Sequence, residues 1–248
     1  SQGTANLADA SGSTLITNEN SDGLSIVAGT YSTCVPAKIK HNNGTVTFNN
    51  HSDPAAHAAI VCGNSNATDG LYNVIIDGAN TIVDTYDPGG SGQECKIHNN
   101  FTVTNGSFQV NSAGNPFDVG GDVLVSAGKM FGDGAAPTGA MSFGSLTIES
   151  GATFRATSGT TTITSEKTSS GYAWYNVSGT YTHNNGTVNF TSTADTHLRD
   201  DTFYNLTITG GASSSDFYYR PKDGGTGAVT IANDLTIVEG LFRPAGAA

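Results

Sequence analysis

An apolar residue, a second one two places later and a glycine five places later recur six times along this chain. The copies are "LSIVAG" from Leu24, "FTVTNG" from Phe101, "VLVSAG" from Val123, "LTIESG" from Leu146, "LTITGG" from Leu206 and "LTIVEG" from Leu235. Val74 opens a looser copy, "VIIDG", with its glycine one place early. The starts at 74, 101, 123 and 146 are 27, 22 and 23 positions apart, and those at 206 and 235 are 29 apart. Within each unit apolar and polar residues alternate, so one set of side chains points inward and the Thr, Ser and Asn set points outward. Glycine supplies the positive φ or the close backbone approach that a corner needs, and an adjacent asparagine tolerates the same region. A unit this short cannot cover its own apolar face. Stacking it on the next copy at a strand spacing of about 4.8 Å completes the hydrogen-bond ladder and builds one long core.

A longer duplication runs over the short one. "KHNNGTVTFNN", "LYNVIIDG" and "KIHNNFTVTNGSFQV" follow one another in the first half, and "THNNGTVNFTS", "FYNLTITG" and "TIANDLTIVEGLFRP" in the second. Segment order is kept and only connecting lengths differ, as when insertions fall in loops of a repeat framework. The expected fold is all-β: a β-solenoid, a right-handed parallel β-helix of about ten rungs. Residues 1–23 read as an N-terminal lead-in or cap. Residues 24–248 read as one continuous solenoid with duplication over about 36–112 and 179–245. A β-sandwich also uses many short strands, but it does not explain glycines recurring at this interval.

Composition narrows the function classes. Twenty-one acidic against ten basic residues give a formal charge of −11, which repels a phosphate backbone and leaves no basic stripe for nucleic acid. The longest apolar stretch, around "AAIVC", is too short to span a bilayer. Cys34, Cys62 and Cys95 have no CxxC or CxxH spacing, so they read as small buried hydrophobes. A Cys34–Cys62 bridge between neighbouring rungs is the alternative.

"HNNGTVTFNN", "FYNLTITG" and "NDLTIVEG" resemble the Gly/Thr/Asn-rich solenoid repeats of large microbial surface proteins and of phage virion appendages. The resemblance covers most of residues 24–243 and implies an extracellular shaft, fibre or attachment module on a virion or cell surface. It carries no catalytic signature to transfer. The expected role is therefore non-enzymatic: a tail-fibre, decoration, adhesin or filament module that displays loops. The alternative is a polysaccharide lyase or hydrolase on the same scaffold, which needs grouped carboxylates or carboxylate-bound Ca²⁺. Expected partners are other subunits of a fibre or particle, including further copies of this chain, and cell-surface glycans.

Candidate chemistry is sparse. "ADTHLRDD" offers Asp195, His197, Arg199, Asp200 and Asp201, but its place between two strand motifs reads as a solvated connector with Leu198 turned inward. Asp84 and Asp87 in "VDTYDPGG" read as a turn. No cofactor is expected beyond weak Ca²⁺ binding by isolated carboxylates. For glycan contact the candidates are Tyr218, Tyr219 and Arg220 in "SSSDFYYRPKDGG", and Trp174 in "YAWYN". Aromatic faces stack on sugar rings, but alternate residues of either stretch could equally enter the core as a strand. Finally, "GLFRPAGAA" reads as an unfinished rung, which predicts a covering subunit or further chain.

Overall fold

The computed structural model describes residues 13–17, 27–28, 35–36, 43–49, 57–61, 70–86, 94–110, 114–130, 138–165, 167, 169–192, 196–199, 201–210, 219–221, 229–240 and 242. Their strands stack in parallel into three ladders around one core, so the chain is a β-solenoid. The first face runs through Cys95–Ile97, the N-terminal halves of Phe117–Val125 and Met141–Ile148, then Thr160–Ile163, Thr187–Phe190, Asn205–Ile208 and Leu235–Ile237. The second runs through Ser13–Thr17, Thr45–Asn49, Asn73–Ile76, Phe101–Val103, the C-terminal halves of the same two long strands, Trp174–Asn176, Thr196–Leu198 and Tyr219–Pro221. His57–Val61, Ile82–Tyr86, Ser107–Gln109, Lys129–Met130, Thr153–Arg155 and Thr180–Thr182 make the third.

Alternation drives the assembly. In Phe101–Val103 the outer two residues are buried and Thr102 is not, and Thr160–Ile163, Thr187–Phe190 and Asn205–Ile208 follow the same rule. Side chains from the three faces meet inside. Phe117, Phe101 and Phe108 come one from each face, with ring centroids 4.7 to 5.7 Å apart. Val123 stands in register with Phe101 on one side and Leu146 on the other, the stacking expected of consecutive glycine-marked units.

Corners show what the glycines do. Gly106, Gly151 and Gly240, each at plus five of its unit, have positive φ. In the duplicated phrase the roles divide differently. Asn43 and Asn185 take the left-handed conformation, at φ 59° and 57°, while the glycine after the second lies against another turn. A Cβ on Gly186 would sit 2.1 Å from the carbonyl oxygen of Thr157. Between the first two faces the long strand Met141–Ile148 bends at Gly144, whose Cβ would meet the carbonyl oxygen of Gly121 at 2.6 Å.

Several expectations need correction. The anticipated ten rungs overcount: the strands stack as a solenoid of about five turns, and four consecutive turns, from Cys95 to Thr182, carry a described strand in each of the three ladders. Flanking strands extend single ladders beyond them. Within the Leu24 unit the described residues Val27–Ala28 pair antiparallel with Val35–Pro36. Ser13–Thr17, inside the stretch expected as a lead-in, already pairs in parallel with Thr45–Asn49.

The duplication survives with a twist in placement. Asn73 donates through its Nδ2 to Thr45 Oγ1 and accepts from Asn99 Nδ2. Asn205 likewise donates to Thr187 Oγ1 and accepts from Asn233 Nδ2. Yet Val74 belongs to the second face, above Phe101, whereas Leu206 belongs to the first, between Val188 and Leu235. The same local motif sits one face over in the second half.

Candidate functional site

Connector length between the first and second faces changes along the solenoid. Three residues separate the inward-facing Ile97 and Phe101, three separate Val119 and Val123, and two separate Phe143 and Leu146. Ten then separate Ile163 and Trp174, seven Phe190 and Leu198, and twelve Ile208 and Pro221. All three long connectors leave from the same corner on consecutive turns. In repeat architectures such insertions gather on one face, often the binding face, because framework hydrogen bonds lie elsewhere.

The outer surface of the second face next to that corner carries a cluster. Trp174 points inward and is fully buried, so the next residue, Tyr175, points out. Tyr172 stacks on Tyr175 with centroids 4.5 Å apart and planes 10° from parallel, and His197 meets Tyr172 edge-on at 6.2 Å. One turn along, Leu198 pairs with Trp174, which sets Arg199 beside Tyr175; its guanidinium carbon lies 5.3 Å from the ring centroid. Contact of a guanidinium with an aromatic face is favourable and limits the side chain's freedom. Among the described residues no carboxylate pairs with Arg199. On the next turn Arg220 stands in backbone register with His197. Lys167 joins the same neighbourhood by an isolated bridge to Tyr172, where its amide donates to the Tyr172 carbonyl.

Beneath this surface the inward side is firmly tied. The indole Nε1 of Trp174 and Nδ2 of Asn176 both donate to Oδ2 of Asp201, each at 3.0 Å, while the Thr202 amide donates to Oδ1. Trp174 also packs edge-on against Phe154, Tyr181 and Phe203. Trp174 as a glycan contact is therefore corrected: strand alternation makes it a core residue, with no face left for a sugar. Tyr218 lies outside the described residues. Tyr219 and Arg220 belong to the strand Tyr219–Pro221, of which the backbone alone is described.

Other sequence candidates separate. In "ADTHLRDD", Leu198 is buried as anticipated and His197 and Arg199 face outward, while Asp201 anchors Trp174; Asp195 and Asp200 lie outside the described residues. Asp84 is not in a turn. It belongs to the strand Ile82–Tyr86 and is buried, and Asp87 lies outside the described residues. Cys95 is buried in Cys95–Ile97, as a small hydrophobe would be; Cys34 and Cys62 lie outside the described residues. On the first face Lys96 donates to Asp118 at 2.5 Å, and that hydrogen bond holds the lysine's pKa above its ordinary value.

Tyr172 and Tyr175 were missed as a pair by sequence reasoning. The signal was present in "YAWYN": once the tryptophan is assigned inward, alternation turns Tyr175 outward. What brings Arg199 to it is the stacking register, which no local pattern states. Among the described residues no group of three or more His, Cys, Asp or Glu side chains could hold a metal ion, and no helix is long and apolar enough to cross a membrane. No protein-family profile, curated protein or solved structure matches this chain.

Proposed function

We propose that this solenoid is a non-enzymatic structural and attachment module, part of a virion appendage such as a tail fibre or decoration, or of a cell-surface adhesin or filament, working outside the cell. The stacked turns act as a rigid spacer, and the face beside the long connectors makes contact with a surface glycan. The observation that carries this reading is the gathering of three consecutive insertions at one corner, beside the outward Tyr175, His197 and Arg199, with the buried Tyr172 stacked on Tyr175. The corner from the third face to the first also carries long connectors, with eight residues between Tyr86 and Cys95, seven between Gln109 and Phe117 and ten between Met130 and Met141, so it is the aromatic and cationic cluster beside the insertions that marks this face. Resemblance of "HNNGTVTFNN" and "NDLTIVEG" to appendage and surface-protein repeats supports the setting. Assembly with other subunits, including further copies of this chain, is part of the proposal. Leu235 and Ile237, at positions that are inward on the preceding strand, are 43% and 45% exposed and offer an apolar layer for the next turn to cover.

The test is to incubate the full chain with a panel of immobilised polysaccharides and intact microbial cells, scoring retention and product release in the same samples. Retention without new reducing ends or unsaturated sugars is the expected result. Release of either product would replace this reading by that of a polysaccharide hydrolase or lyase. Absence of retention on every surface would remove the attachment role.

A further inference from the structure

We propose that the outer second face around Arg199 recognises an acidic polysaccharide, a glycan carrying carboxylates, rather than a neutral one. This rests on the attachment reading above and specifies its ligand. A neutral sugar is gripped mainly by an open aromatic platform, and that platform is missing here. One partner of Tyr175 is Tyr172, stacked on it at 4.5 Å, and the other is Arg199, held over its ring. Tyr172 is itself only 6% exposed. The rings therefore serve to position the cation.

Arg199 has no carboxylate partner among the described residues, although the chain holds twenty-one acids to ten bases. Asp201, close in sequence, is occupied by Trp174, Asn176 and the Thr202 amide. A guanidinium set on a ring keeps its planar fork of N–H donors in one geometry, which suits two-point contact with a carboxylate. His197 lies on the same strand two residues earlier, and Arg220 stands in register with His197 on the following turn. Successive turns lie about 4.8 Å apart, so the backbone of Arg220 passes next to that of His197 on the following turn, two residues before Arg199. The net charge of −11 opposes an acidic ligand at long range. Screening confines that repulsion to about 8–10 Å at physiological ionic strength, so the local cations decide once contact is made.

Polygalacturonate serves as the acidic probe and dextran as the neutral one, with binding to the full chain measured by calorimetry. Polygalacturonate is expected to bind and dextran not to bind. R199A should weaken binding about 10- to 100-fold, the effect of losing a hydrogen bond to a charged group. R199K, which keeps the charge but loses the fork, should recover only part of it. Raising salt from about 0.1 M to about 1 M should abolish it, as the screening length falls to roughly 3 Å. If R199A does not fold, R220A and the salt series on the unaltered chain still decide the matter. Equal binding of both probes, or binding that neither R199A, R220A nor salt affects, overturns the acidic-glycan proposal and leaves the attachment reading standing. Retention on cells or other polysaccharides with no binding of polygalacturonate does the same. Failure on every surface removes both.

Discussion

Tyr181 keeps its hydroxyl buried, with no hydrogen-bond partner among the described residues, between Phe154, Trp174 and Phe203. Burial first, and the nearby Asp201 carboxylate second, push its pKa above the ordinary value of 10.0. Below that value the tyrosine is neutral whether the chain is folded or not, and it adds no pH dependence. Above it the unfolded chain loses the proton while the folded chain keeps it. Stability should then fall by about 1.4 kcal/mol per pH unit from this residue. Tyr181→Phe should flatten that alkaline limb in urea titrations between about pH 9 and 11, and should cost little or nothing at neutral pH because the deleted hydroxyl is unpaired. Trp174 predicts the opposite balance. Trp174→Phe keeps an aromatic ring but strips one donor from Asp201, for an expected loss of about 1–3 kcal/mol by chemical denaturation. Trp174→Ala adds a cavity and should cost about 3–5 kcal/mol.

At the scale of an element, the corners decide which strands can stack. The trios Thr45–Asn73–Asn99 and Thr187–Asn205–Asn233 tie adjacent turns by matching side-chain hydrogen bonds. Asn73→Ala and Asn205→Ala should each lower stability by about 1 kcal/mol per bond removed. Because the two sites are several turns apart and share no partners, the double variant should show the sum of the single losses. A departure from additivity in the denaturation midpoints would mean that the two corners are not independent. Gly144 is held for space rather than for a positive φ. Gly144→Ala drives a methyl against the Gly121 carbonyl of the neighbouring turn, and a loss of about 1–3 kcal/mol is expected from the strain. These corners were legible as glycine and asparagine in the sequence. Which residue took the left-handed conformation and which the close contact was not, since both demands select the same residue types.

For the whole molecule, each turn contacts chiefly its neighbours, so stability is close to a sum over turns and interfaces. The last described strand, Leu235–Ile237, is the exception. Leu206 and Ile208 beneath it are buried, but Leu235, Ile237 and the following Val238 are 43%, 45% and 61% exposed. An exposed apolar layer of this kind is a surface that a further strand or subunit can cover. The full chain should therefore associate in a concentration-dependent way, measurable by light scattering. The double substitution L235D/I237D should return it to a monomer without changing its far-ultraviolet circular dichroism. A monomer at all concentrations before substitution would count against assembly through this layer.

Alternation of residue types determined, by sequence alone, that strands would be short, that Leu146 and Val123 would lie inside on adjacent turns, and that Leu198 would be buried while His197 and Arg199 faced out. Those outcomes depend on a strand's period of two and on the need of each unit for a stacked neighbour, and both are local facts. Placement of motifs on faces was decided only in three dimensions. "TVNF" fits any parallel ladder, and lengthening a connector adds little closure entropy, so nothing local dictates which corner absorbs the extra residues. The summed register of many turns made that choice. It moved the second copy of the duplicated phrase one face round and brought Arg199 to Tyr175, twenty-four residues away in the chain.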